Sequence, residues 1–167
     1  SSEFNFIVDE IEAKEIEKIA ISSTKIRNSI NQGDLETTKK YLGRFFSLTG
    51  KVVKGDGLGK QIDYPTANIL IEEDYKIIPK DGVYYIRTTI DNKLYNGMMN
   101  IGHRPTIGFK SKSIEVNLFN FDRDIYDKVI SVDVVVKIRD EKKFSSINAL
   151  KAQLAKDEEH CLKLINK

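Results

Sequence analysis

The chain has 167 residues, with 27 basic and 25 acidic side chains, which is room for one sizeable domain and a small appendage. Its charge is nearly balanced and carries no polybasic tract, so the electrostatic footprint of a nucleic-acid binder is lacking. A single cysteine, Cys161, excludes an internal disulfide, no histidine or cysteine cluster has metal-ligand spacing, and no apolar run approaches the roughly 20 residues of a membrane span.

With no charged-then-apolar leader pattern, a cytoplasmic setting without membrane contact is expected. Residues 1–44 differ in pattern from the remainder of the chain. Residues 4–11 form a short apolar, strand-like run. Ile21-Ser-Ser-Thr-Lys-Ile-Arg27 then opens a helix with serine caps and with Ile26 and Ile30 on one face. Gly33 can close that helix, and Asp34 can cap a second one carrying Leu35, Thr38, Tyr41 and Leu42, which Gly43 ends.

A β-like run over residues 45–53 feeds a loop with glycines at 55, 57 and 59, and Pro65 fixes the exit into a second apolar run, residues 67–71. Closely placed glycines let backbone N–H groups approach a ligand without Cβ obstruction. Lys54 and Lys60 add positive charge at the two ends, which suits a phosphate chain. The spacing is not the Walker pattern, because the loop lacks a closing Gly-Lys-Ser/Thr and leads into the pattern of a strand rather than a helix. A glycine loop between strands is by itself more often an ordinary hairpin or bulge than a nucleotide site. Pro65-Thr66-Ala67-Asn68 adds chemistry: Thr66 and Asn68 point to one face of their strand, Ala67 and Ile69 to the other. Oxygen donors of that kind suit Mg²⁺, which draws its remaining ligands from water and substrate phosphates.

Residues 83–90 and 93–100 are joined through Asp91-Asn92, a tight-turn dipeptide. Ile130, Val132, Val134, Val136 and Ile138 alternate with Ser131, Asp133, Val135, Lys137 and Arg139, the period of a half-buried strand. Six or so strands without intervening helices favour a mainly β chain closed, or nearly closed, into an antiparallel barrel. From Ser145 or Ser146 the period turns helical, with Ile147, Leu150, Leu154, Glu158, Cys161, Leu162 and Ile165 on or near one face. A helix packed across the barrel is expected, with Cys161 in its core and unreactive and His160 on the surface.

Residues 50–68, ending in Pro-Thr-Ala-Asn, resemble the ATP-binding signature of riboflavin kinases, the flavokinase module of bacterial bifunctional riboflavin kinase/FMN adenylyltransferases. The resemblance continues in order through Asp81-Gly-Val-Tyr-Tyr, Asn100-Ile-Gly-His-Arg-Pro-Thr-Ile-Gly, Ile114-Glu-Val-Asn-Leu and Ile138-Arg-Asp-Glu-Lys-Lys-Phe. It implies a six-stranded antiparallel Greek-key barrel with a C-terminal α-helix, a riboflavin kinase domain over residues 45–167, and transfer of the γ-phosphoryl group of ATP to the ribityl 5′-hydroxyl of riboflavin, giving FMN and ADP. It further implies that Lys54, Gly55, Gly57, Lys60, Pro65, Thr66 and Asn68 bind ATP, that Thr66 and Asn68 hold Mg²⁺, and that Arg139, Glu141 and Phe144 meet the flavin. Residues 21–27 resemble a late nucleotide-contacting motif of the adenylyltransferase half. That half's His-x-Gly-His segment and parallel sheet are missing here, so residues 1–44 are expected to be the C-terminal remnant of an adenylyltransferase domain that partners the kinase in the full-length protein. Ser22, Ser23 and Arg27 are expected to carry no adenylyl transfer.

Glu115 lies on the strand face opposite Ile114, Val116 and Leu118, beside Asn117 and Phe119. By position alone it is a solvated carboxylate on an outer face. By the resemblance it occupies the glutamate of the family's Val-Glu-x-His motif, the catalytic base toward the ribityl hydroxyl. Asn117 stands where the family often has histidine, and Asp127 where it commonly has glycine. Arg139 suits phosphate or flavin, or else a surface ion pair with Asp140 or Glu141. His103 is expected to be a hydrogen-bonding loop residue in a shaped loop over residues 100–108. The rival readings are a non-catalytic oligonucleotide-binding barrel and, within enzymes, a chain that also adenylylates FMN to FAD.

Overall fold

The computed structural model describes residues 15, 16, 19–55, 57–103 and 112–165. The strand-like run at residues 4–11 and residues 104–108 of the expected shaped loop lie outside the described residues. Two short strands, β1 (Glu15–Ile16) and β2 (Ile19–Ala20), pair antiparallel ahead of the helices; no local pattern marks them.

Helices α1 (Ser23–Gln32) and α2 (Leu35–Leu42) form between the expected caps. Ser22 accepts the Lys25 N–H and Asp34 the Thr37 N–H, while Gly33 and Gly43 end the helices at φ 76° and 71°, left-handed values that cost glycine nothing. A buried 2.8 Å bond between the Ser29 and Thr38 hydroxyls ties the two helices together. Leu35, 3% exposed, enters the same core as Leu48 and Val134, so α2 completes the bottom of the barrel.

The barrel is closed and antiparallel, in the order β3 (Phe46–Val53), β4 (Ala67–Leu70), β7 (Lys112–Leu118), β6 (Lys93–His103), β5 (Gly82–Ile90), β8 (Val129–Arg139). The meander β5–β6–β7 followed by a strand that returns beside β5 is a Greek key, and closure leaves no edge to protect. Asp91 and Asn92 both take positive φ, 50° and 61°, which makes the β5–β6 connection a type I′ hairpin. The interior is filled by Val52, Ile69, Tyr84, Met99, Val116 and Val132 among others. One correction falls in the glycine loop: it holds a single helical turn, α3 (Leu58–Gln61), before the strand pattern resumes. Gly57 at φ 73° turns the chain into it, and the buried Ile62 seats its end.

A second apolar cluster lies outside the barrel, where Val83, Tyr85, Met98 and Phe119 meet Leu154, Cys161 and Leu164 of α4 (Ile147–Ile165). The strict alternation expected over residues 130–138 stops at Val134. Register shifts between β5 and β8 pass over Val135 and Ile138, bulges that turn Val135, Val136 and Ile138 together toward the outer cluster. Ser146 caps α4, accepting the Ala149 N–H at 3.2 Å. The expected apolar stripe of α4 needs correcting: Ile147, Leu162 and Ile165 are exposed, whereas Asp157 is buried, because its carboxylate has a partner on β8. His160 is exposed and Cys161 fully buried. Among the described residues, no helix is long and apolar enough to cross a membrane.

Leu35→Ala is expected to lower unfolding free energy by about 2–5 kcal/mol, the range for emptying a buried leucine site; urea denaturation checks it, and a change under about 0.5 kcal/mol would detach α2 from the core. Burial pushes the Cys161 thiol from 9.0 up to about 12. The folded state therefore holds the thiol proton more tightly than the unfolded chain, and this contribution to stability is complete below about pH 9 and lost as pH rises through about 12. Iodoacetamide at pH 8, followed by mass spectrometry, should leave native Cys161 unmodified and label it in urea; equal labelling in both would mean that α4 opens freely.

Candidate active site

Strand register draws one row of side chains across the barrel. Asn68 stands opposite Glu115, Glu115 opposite Asn100, Asn100 opposite Val83, and Val83 opposite Arg139. Their neighbours Ile69, Val116, Ile101 and Tyr84 fill the interior, so Asn68, Glu115, Asn100 and Val83 stand on the outer face. Directly opposed side chains on one face lie about 5 Å apart at Cβ, close enough for Asn68, Glu115 and Asn100 to act on one small group.

Over this row the outer face, α4 and the segment between β8 and α4 enclose a pocket of about 260 Å³. Thr66, Asn100, Glu115, Asn117 and Arg139 give it a polar wall, and Leu58, Ile62, Val83, Met98, Phe144 and Leu154 an apolar one. Such a cleft suits a ligand with an apolar body and a polar end. A second pocket, about 460 Å³, is lined by Lys60, Pro65, Thr66, Val116, Phe121 and Tyr126. Thr66 belongs to both walls.

The glycine loop is shaped by what lies against it. A Cβ on Gly59 would sit 2.2 Å from the Tyr64 carbonyl oxygen, which is backbone, and one on Gly55 1.9 Å from the Asn68 Nδ2, so a side chain at 59 would hold the loop off residues 64–68 and one at 55 would have to displace the Asn68 amide. Asn68 is 8% exposed beneath Gly55. Lys60 reaches the second pocket. Lys54 and Gly57 are exposed and line neither pocket; the Lys54 ammonium lies 5.7 Å from the Tyr126 ring centre. The Tyr64 O–H donates to Glu158 at 3.1 Å, and burial, then that carboxylate, hold the phenol above its ordinary range.

Arg139 has a partner that neither expected pairing named. Its Nε donates to both Asp157 oxygens at 3.0 Å and its Nη2 to Oδ2 at 2.8 Å. Asp140 offers it only a backbone carbonyl, its carboxylate being held by Lys137. The Glu141 carboxylate packs against Gly102, and the Phe144 ring centre lies 5.8 Å from the Arg139 guanidinium carbon. Both departures from the family pattern are absorbed locally. The Asn117 amide donates to the Pro65 carbonyl at 2.8 Å. Asp127 sits at φ 63°, the region where glycine is favoured, and pairs with Lys51, whose ammonium holds its carboxyl below the usual range. His103 ends β6 with Nδ1 2.7 Å from Asp81.

Of the residues expected from the sequence, Thr66, Glu115, Arg139, Glu141 and Phe144 line the first pocket and Lys60, Pro65 and Thr66 the second. Asn100, Tyr64 and the apolar residues other than Phe144 line the first pocket without having been singled out. Asn100 shares outward parity with Met98 along β6, a signal that was available; the contribution of α4 comes from tertiary packing.

Known proteins resemble this arrangement. Residues 42–165 match the riboflavin kinase (flavokinase) family model. The chain is 38% identical over 146 residues to the bifunctional riboflavin kinase/FMN adenylyltransferase of Bacillus subtilis, covering 86% of this chain and 46% of that protein; it spans about half the length of the curated relatives it matches. Among solved structures, a Streptococcus pneumoniae protein bearing the name macrolide-efflux protein superposes with a TM-score of 0.82 at 38% identity, over 89% of this chain and 49% of that one. The riboflavin kinase of Trypanosoma brucei superposes with a TM-score of 0.51 at 25% identity, over 72% and 80%. The family match takes in every strand of the closed barrel and the helix that walls its pocket, and the chain belongs to the riboflavin kinase family.

Proposed function

We propose that this chain transfers the γ-phosphoryl group of ATP to the ribityl 5′-hydroxyl of riboflavin, giving FMN and ADP. The observation that carries the reading is the pair of pockets meeting at Thr66, with Glu115 in the wall of the apolar one. Riboflavin fills the first pocket, its ring system against Leu58, Ile62, Val83 and Phe144 and its ribityl chain toward Glu115 and Asn100. ATP fills the second, with its phosphates directed at Thr66 and the glycine loop, and Lys60 beside them. Lys54 and Gly57 contribute charge and turning freedom at the loop mouth. Glu141 and Arg139 complete the flavin side.

The Thr66 hydroxyl and the Asn68 amide oxygen are the donors for a divalent cation, Mg²⁺ in this reading; they are hard oxygens, Thr66 just before β4 and Asn68 on it opposite Glu115. Bound there, the ion neutralises phosphate charge. Glu115 orients the 5′-hydroxyl and accepts its proton as the new O–P bond forms and the β–γ bridge breaks toward ADP. The polar row sets Glu115 beside Asn68, so the hydroxyl and the phosphates they would hold are brought together, which is most of what phosphoryl transfer requires. Residues 1–44 are read as the end of an adenylyltransferase module, supported by the Ile21–Arg27 resemblance and by bifunctional relatives twice this length; FAD synthesis is not assigned to this chain. The oligonucleotide-binding alternative is not favoured, because α4 covers the outer face on which bases would stack.

Riboflavin, ATP and Mg²⁺ with the purified chain should yield FMN and no FAD on chromatography. Glu115→Gln should keep riboflavin binding while kcat falls about 100-fold or more; a kcat within threefold of the parent would remove Glu115 from proton transfer. Gly55→Ala should push Asn68 aside and raise the Mg²⁺ and ATP concentrations needed for half-maximal rate by about tenfold, since a Cβ there has no room. Unchanged metal and ATP dependence would separate Asn68 from the phosphate site.

A further inference from the structure

We propose that Asp157, which lines neither pocket, is the positioning residue that sets the shape of the flavin pocket and hence the affinity for riboflavin. The proposal rests on the reading of the first pocket as the riboflavin site. Asp157 is 2% exposed on the buried side of α4, whose other buried contacts are apolar. A carboxylate so placed is costly unless its oxygens are bonded, and here they are: Arg139 gives three hydrogen bonds and the Gln153 amide a fourth, at 2.7 Å. Gln153 in turn accepts from the Lys142 ammonium at 2.6 Å.

Apolar residues at positions 139 and 157 would hold α4 on the barrel as well or better, because replacing a buried ion pair by hydrophobic side chains is often neutral or stabilising. An apolar contact does not, however, fix where along its axis a helix sits. A bidentate guanidinium–carboxylate fork does, since two parallel bonds set direction as well as distance. The position of this fork in the chain is decisive. Arg139 and Asp157 are 18 residues apart, and the segment they close carries Glu141, Lys142, Phe144, Leu150 and Leu154, a large part of the pocket's wall. Both ends of that wall are pinned by one ion pair. A slip of α4 by a single residue moves it about 1.5 Å and turns it about 100°, enough to narrow a slot built for a planar ring. Glu115 and Thr66 stand on the opposite wall, on and just before strands β7 and β4, and do not depend on the fork.

The test compares the parent with Asp157→Asn and with Asp157→Leu, both of which leave the pocket-lining Arg139 in place, by circular dichroism, by quenching of riboflavin fluorescence for Kd, and by kinetics for both substrates. Folded variants are expected to show riboflavin Kd and KM raised about tenfold, with kcat within about threefold and the KM for ATP within about twofold of the parent. Riboflavin Kd and KM within twofold of the parent in either folded variant would overturn the proposal, as would kcat and both KM values worsening together. If neither variant folds, the pair is an element of folding and the positioning role is lost. A parent that neither binds nor phosphorylates riboflavin removes the pocket reading and the proposal with it, whereas an active parent beside unaffected variants removes the proposal alone.

Discussion

Strand register is the constraint on which the rest of this molecule depends. A side chain in a closed barrel faces either the core or the outside, with no intermediate choice, and a slip of one residue exchanges the two sets. Here Val52, Ile69, Val116, Met99 and Tyr84 occupy the interior, and their burial leaves Asn68, Glu115 and Asn100 side by side on the outer face. The same slip that would place Glu115 in the core would also expel Val116, so the apolar interior enforces the geometry of the polar row without touching a ligand. Closure reinforces this, because each strand is held from both sides.

The outer row becomes a pocket only where something covers it, and the bulges in β8 prepare that cover. By passing over Val135 and Ile138, they turn three apolar side chains outward to form, with Val83, Tyr85 and Met98, the seat of α4. The helix is then fastened at polar points on two sides: Arg139 to Asp157, and Tyr64 to the adjacent Glu158. Asp63 adds an exposed pair with Lys151, which screening by solvent leaves weak. One helix thereby braces both the exit of the glycine loop and the end of β8.

Local signals were enough for much of this. The caps at Ser22, Asp34 and Ser146, the Asp91-Asn92 turn and the alternation through Val134 each arise from chemistry within a few residues of the feature, and so does the outward placement of Asn68 and Glu115. The failures share a cause. Ile147, Leu162 and Ile165 match the helical period but overhang the barrel, while Asp157 contradicts it and is buried because of a guanidinium 18 residues away. The helical turn at Leu58–Gln61 is too short for a period to register. Lys54 lies over Tyr126, a ring some 70 residues later in the chain that also lines the second pocket, a neighbour that no local pattern names. Periodicity reports what a segment prefers; it is silent on which partner the closed barrel delivers.

The two departures from the family pattern show how such a framework tolerates change. At position 127 the backbone needs a left-handed residue, φ 63°; aspartate is among the few side chains besides glycine that accept it at modest cost. The added carboxylate then gains Lys51 as a partner on the neighbouring strand, while the Asp127 N–H still reaches the Val52 carbonyl. At position 117 the amide spans from β7 to the Pro65 carbonyl, a bond that an imidazole N–H donor also makes chemically. The bond holds Pro65 in place just ahead of Thr66, which lies between the two pockets.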